Sequence, residues 1–228
     1  MSAIYHVLNR GVDKRKIFME DKDYLRFIHD LFEFNDENPV NNNYYKFHKH
    51  NTIAVPRIER KPRQLLVDIY VFCLMPNHYH LLLSPRRDGG ISRFMKKLNM
   101  GYARYFNEKY NRSGTLFEGR FKSVLIERQA HFIHLPYYIH FNPLDFIMPE
   151  WRDRKIEDYK KAINFLNSYR WSSHLDYLGQ TNFPSVTKRE FLLEIFGGQE
   201  GYQEALNGWL IDLRKVNKDK IKDMLLES

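Results

Sequence analysis

A chain of 228 residues, 43% hydrophobic and 15% aromatic, holds enough apolar material for one well-buried domain, and this is not the composition of a disordered protein. Its net charge of +8 is unevenly spread: residues 46–64 carry a net +5 and residues 90–128 a net +6, so the remainder sums to −3. The lone cysteine, Cys73, excludes an intramolecular disulfide scaffold, and IYVFCLM, the longest apolar run, is too short to cross a bilayer.

The first strand is expected over residues 5–11, YHVLNRG, ended by glycine. A helix follows over about 22–36, capped by Asp21 or Asp23. Tyr24, Leu25, Ile28, Leu31 and Phe32 share one face of it. Residues 39–64 are polar, basic and prolyl, the pattern of a long loop or loose hairpin. The run LLVDIYVFCLM (65–75) reads as a strand, PN as a turn, and HYHLLL (78–83) as the returning strand. After Gly89 and Gly90 a long helix covers about 91–110. Its apolar stripe includes Phe94, Leu98, Tyr102, Tyr105 and Phe106, with Lys96, Lys97 and Arg104 largely off it. A fourth strand is expected over 120–127. A helix over about 131–142, ended by Asn142-Pro143, follows, and then a mainly helical C-terminal third.

This order gives an α+β fold, a mostly antiparallel sheet with helices on one face, of ferredoxin-like kind, plus a helical C-terminal extension. The expected division is a domain over 1–150, with a basic insertion at 39–64, and an extension over 151–228 packed on it. MSAIYHVLNRG lacks the apolar region of a signal peptide, and Cys73 fits a reducing compartment, so a cytoplasmic protein is expected. The two basic segments point to a nucleic-acid partner; the plainer alternative is that Lys and Arg only solvate helix faces and loops.

The stretch MPNHYHLLL (75–83) carries the chemistry. Side chains alternate along a strand, so His78 and His80 share a face and two imidazoles can reach one ion. A His-x-His pair alone is more often satisfied internally or solvent-facing. Tyr138 and Asn142, four residues apart, share a helix face one turn apart, with Tyr137 about 100° round the helix. From residue type alone, Tyr138 reads more readily as a core residue and Asn142 as a helix end.

The blocks MPNHYHLLL, SRFMKKLNMGYARYFNEKYNRSGTLFEGRFKSVLIE, YYIHFNPL and YRWSSHLDYLG resemble, in order and spacing, those of HUH-type single-tyrosine transposases of bacterial insertion sequences, most of all the REP-associated tyrosine transposases. The resemblance covers about residues 4–178. It implies His78, His80 and Asn142 as ligands of a divalent metal, Mg²⁺ or Mn²⁺, and Tyr138 as the nucleophile. The reaction implied is cleavage and rejoining of single-stranded DNA, at hairpins, through a 5′-phosphotyrosine. Lys96, Lys97, Arg104, Arg112, Arg120 and Lys122 are the candidate phosphate contacts. Relatives include both dimers and monomers, so a homodimer and a monomer both stay open. The alternatives are a replication-initiator or relaxase-type nickase, or a non-catalytic DNA-binding protein derived from a transposase. Enzymes of the former kind commonly carry a lysine or second tyrosine one turn from the nucleophile, where this chain has Asn142. Two departures stand out: Pro136 precedes Tyr138 by two residues, and the 39–64 segment is longer and more basic than the family pattern.

Overall fold

The computed structural model describes residues 3–39, 62–127, 129–153 and 155–212, with backbone only for 129–131 and 211–212. The 39–64 insertion therefore lies almost wholly outside the described residues.

Four antiparallel strands form the sheet: β1 (Tyr5–Arg10), β2 (Val67–Met75), β3 (His78–Pro85) and β4 (Lys122–Leu125), in the order β2-β3-β1-β4. Pro76 and Asn77 make the two-residue turn of the β2–β3 hairpin, closing on the Met75–His78 pair. All nine residues of β2 are buried, which is why this strand reads as an unbroken apolar run rather than as alternation.

The helices are α1 (Asp21–Glu33), α2 (Gly90–Lys109), α3 (Gln129–Phe141), α4 (Tyr159–Ser168), α5 (His174–Tyr177), α6 (Glu190–Phe196) and α7 (Gly198–Asp212). The helix expected over 22–36 starts at Asp21 behind Glu20, whose side chain takes the backbone N–H of Asp23 while Asp23 returns to the Glu20 N–H. Asp23 therefore belongs to the cap as its third helical residue rather than as the cap itself.

The sheet separates two cores. On one face Phe72, Leu74, Tyr79, Leu81 and Leu83 pack with Phe27 and Leu31 of α1 and Phe94, Leu98 and Tyr102 of α2. On the other, Val71, Cys73, Met75 and Leu82 pack with Tyr138, Ile139 and Phe141 of α3 and with Leu206 and Trp209 of α7. The expected α+β class and antiparallel sheet are those observed. Helices on one face describes α1 and α2; α3 and the C-terminal helices cover the other side. No described helix is long and apolar enough to cross a membrane.

Candidate active site

The strand register decides which side chains meet. His80 is paired with Leu8, His78 with Arg10 and Leu82 with His6. Leu8 is in turn paired with Lys122 of β4. Cross-strand partners point the same way, so His6, Leu8, Arg10, His78, His80 and Lys122 share the face that α3 covers. The two histidine rings stand edge to face with centroids 5.0 Å apart.

Each ring is held through Nδ1. His78 Nδ1 donates to Asn77 Oδ1 at 2.7 Å, since a carboxamide oxygen only accepts. His80 Nδ1 lies 3.0 Å from His6 Nε2, and these two rings are stacked. Both Nε2 atoms are buried. His80 is wholly buried, and desolvation, with the Arg152 charge adding to it, pulls its pKa down to about 3. Its imidazole is therefore neutral at any working pH, the form that binds metals.

α3 brings the other pair. Asn142, the first residue of a 3₁₀ turn (Asn142–Phe146), donates through Nδ2 to the carbonyls of Tyr138 (3.1 Å) and Ile139 (3.2 Å). The amide nitrogen thus caps α3, and the oxygen points the other way. Reading Asn142 as a helix end is correct for one half of its side chain and incomplete for the other. Tyr138 is 4% exposed, with its ring against Trp151. Tyr137 turns toward the C-terminal helices and stacks on Tyr202. Pro136 lies inside α3, seven residues from its start, so the Phe132 carbonyl loses its helical donor there.

Arg152 joins the parts. It sits in a second 3₁₀ turn (Pro149–Asp153), and its guanidinium donates to the Tyr138 hydroxyl (2.8 Å), to Asn142 Oδ1 (2.8 Å) and to both oxygens of Asp145 (2.9 and 2.7 Å). Trp151 Nε1 donates to the same carboxylate at 2.7 Å. Sequence reasoning missed Arg152, Asp145 and His6. Arg152 lies ten residues past Asn142, beyond a proline, in no periodic relation to it. His6 is 74 residues from His80, and strand pairing alone unites them.

The expected phosphate contacts divide. Lys96 and Arg104 are exposed on α2, which packs on the opposite face of the sheet from the histidine pair. Lys97 is committed to the carbonyls of Asp36 and Asn38, and burial lowers its pKa. Lys122 shares the histidine face, and Arg120 is exposed just before it. Arg112 donates to Asn107 Oδ1 at 2.6 Å, and its pKa is lowered by partial desolvation and by the nearby charge of Arg15. That second arginine is exposed on the turn after β1, where Asp13 and Lys14 adopt left-handed φ of 54° and 57° and Asn77 Nδ2 holds the Lys14 carbonyl at 3.2 Å. Among the described residues no group of three His, Cys, Asp or Glu side chains is placed to hold a metal ion.

Residues 48–142 match the family model described as Transposase IS200 like. Over those residues the chain carries the IS200-like transposase pattern. The match runs from inside the basic insertion to Asn142, so it spans His78, His80, Tyr138 and Asn142 and stops short of Arg152. The resemblance read from the sequence stands over this IS200-like segment. Among curated proteins there is no match. Among solved structures, the chain is similar to a REP-associated tyrosine transposase bound to a REP hairpin, at 13% identity and a TM-score of 0.47, over 82% of this chain and 88% of that one.

Proposed function

We propose that the protein is a metal-dependent transposase that cleaves and rejoins single-stranded DNA at hairpins, with Tyr138 as nucleophile and His78, His80 and Asn142 as the metal ligands. The observation that carries this reading is the way both histidines are oriented. The Nδ1–H of His78 is spent on Asn77 Oδ1, and His6 stands against Nδ1 of His80. We assign the Nδ1–H of His80 as the donor to His6 Nε2, and with Nδ1 protonated in both rings the lone pair of each lies on its buried Nε2. Such outer contacts fix the tautomer of a metal-binding histidine. Two neutral imidazoles and one amide oxygen fit Mn²⁺ and accept Mg²⁺. A divalent cation held there supplies charge that polarises a phosphate oxygen and offsets the charge on the leaving oxygen.

The protein's own residues do the rest. The Tyr138 oxygen bonds to phosphorus and the phosphorus–O3′ bond breaks. The phenol proton ends, net, on the departing 3′ oxygen, and a 5′-phosphotyrosine remains. The linkage keeps the phosphodiester's energy, so a new 3′ hydroxyl reverses the step and joins strands without ATP. Arg10 and Lys122 flank the histidines on the same face of the sheet. Arg15 and Arg112, held close enough to depress the Arg112 pKa, gain from a phosphate placed near them.

The test is a denaturing-gel adduct assay on a hairpin oligonucleotide with Mn²⁺. Wild type forms a covalent protein–DNA band; Tyr138→Phe forms none while still shifting the same DNA on a native gel. The 4% exposure of Tyr138 favours a second reading, DNA binding without cleavage. Wild type that shifts the hairpin and yields no adduct decides for it.

A further inference from the structure

We infer that Arg152 is an internal cation competing with the catalytic metal, so that metal binding is the event that releases Tyr138. The inference rests on the metal assignment above and adds a residue and an order of events to it. One guanidinium donates to the Tyr138 hydroxyl through Nη1 and to Asn142 Oδ1 through Nη2, each at 2.8 Å. A positive group therefore already touches the proposed amide ligand and the nucleophile. A divalent cation drawing on the same oxygen meets it as a like charge at close range, where repulsion is strong because the surroundings are largely desolvated.

Among the described residues, the hydrogen bonds of Arg152 to Tyr138, Asn142 and Asp145 are unequal in a way that suits displacement. The two that reach into the site are to neutral oxygens. The two to Asp145 form a forked ion pair, at 2.9 and 2.7 Å. The side chains of Arg152 and Asp145 are 29% and 28% exposed, whereas Tyr138 and Asn142 are buried. The guanidinium can therefore withdraw toward Asp145 and solvent without losing its counter-ion, while Asn142 stays fixed by its Nδ2 contacts to α3. Withdrawal removes its donor from the Tyr138 hydroxyl and its guanidinium carbon from over the ring, where it lies 5.8 Å from the centroid. Without the metal, the nucleophile is held in a contact that keeps it from phosphorus.

The closing experiment measures metal affinity rather than turnover. Full-length protein stripped with a chelator is titrated with Mn²⁺, and free ion is followed by electron paramagnetic resonance. Arg152→Gln removes the charge and leaves Asp145 uncompensated, so it binds Mn²⁺ at least tenfold more tightly than wild type. Arg152→Lys keeps the charge and stays within about threefold of wild type. The double variant His78→Ala/His80→Ala loses the site in either background. Circular dichroism confirms that each variant is folded. In wild type, independent of any variant, one equivalent of Mg²⁺ shifts the indole N–H resonance of Trp151, whose ring lies under the guanidinium (4.9 Å) and whose N–H shares the Asp145 carboxylate. Unchanged or weaker Mn²⁺ binding in Arg152→Gln, or an unmoved Trp151 resonance while the histidine variants lose the ion, overturns the competition and leaves the metal assignment standing. Mn²⁺ binding that survives loss of both histidines overturns the assignment and the inference together.

Discussion

At the scale of single residues, the candidate site is legible in the sequence where its spacing is local. His78 and His80 announce themselves by spacing along a strand, and Tyr138 and Asn142 by spacing along a helix. The groups that contact them were not legible. His6 meets His80 only because β1 pairs with β3, and Arg152 reaches Tyr138 only because the turn after α3 folds back over it. The same distinction makes a prediction. Replacing His6 by leucine keeps an apolar bulk against His80 but removes the nitrogen facing Nδ1, so the ring loses its fixed tautomer. Mn²⁺ affinity, measured calorimetrically, is expected to fall about ten- to hundredfold in His6→Leu. An affinity equal to wild type counts against His80 binding through Nε2.

Elements were read well where burial is one-sided and poorly where it is complete. α1 and α2 each bury one stripe, and both were placed to within a few residues. α3 is buried on all sides from Leu135 to Phe141, so an argument from faces could not say which tyrosine is central; Tyr137 and Tyr138 are both buried. What fastens the elements is polar and long-range. Asp23, wholly buried on α1, accepts from Tyr105, Lys109 and Tyr110 at the end of α2 and from the backbone N–H groups of Met19 and Glu20. Its pKa is lowered despite burial, because the lysine and these donors outweigh desolvation. Asp23→Ala leaves Lys109 only its ion pair with the half-exposed Glu20 at 2.7 Å and loosens α1 from α2; urea denaturation is expected to show a loss on the order of 3 kcal/mol. On the other side of the sheet, the Tyr202 hydroxyl of α7 meets Nδ1 of His140 at 2.8 Å and Nδ1 of His174 at 2.9 Å. Tyr202→Phe leaves both buried rings short of a partner and is expected to cost about 1–3 kcal/mol in the same measurement.

For the whole molecule, counting charge along the chain overstated the basic patch. Lys97 is used to hold backbone carbonyls beyond α1, and Arg63 stacks 3.9 Å over Phe32 and donates to the Asn35 carbonyl. Neither use is visible in a net charge. Burial also sets the pH response. His80, His140 and His174 are held neutral by desolvation, with pKa values near 3 for His80 and near 4 for His174. Below about pH 6.5 the unfolded chain takes up protons that these folded histidines refuse, so stability falls with acidification toward pH 4. Asp30, raised by burial to about 7, and Asp176, also raised by burial, act oppositely, since the folded state holds their protons where the unfolded chain has released them. The three depressed histidines outweigh the two raised carboxyls, so acidification below about pH 6.5 is destabilising on balance. Thermal unfolding is expected several degrees lower at pH 5 than at pH 7; a midpoint that rises on acidification refutes the burial of these histidines.

The central claim is that the Tyr138 oxygen, beside a metal-binding histidine pair, becomes bonded to DNA. Mass spectrometry of the digested protein after reaction with a hairpin oligonucleotide and Mn²⁺ tests it most directly. The account predicts a nucleotide remnant on the peptide containing Tyr138, localised to that residue by fragmentation and absent when His78 and His80 are both replaced by alanine. A remnant on Tyr137 or on any other residue, or one that forms undiminished without the histidines, contradicts it.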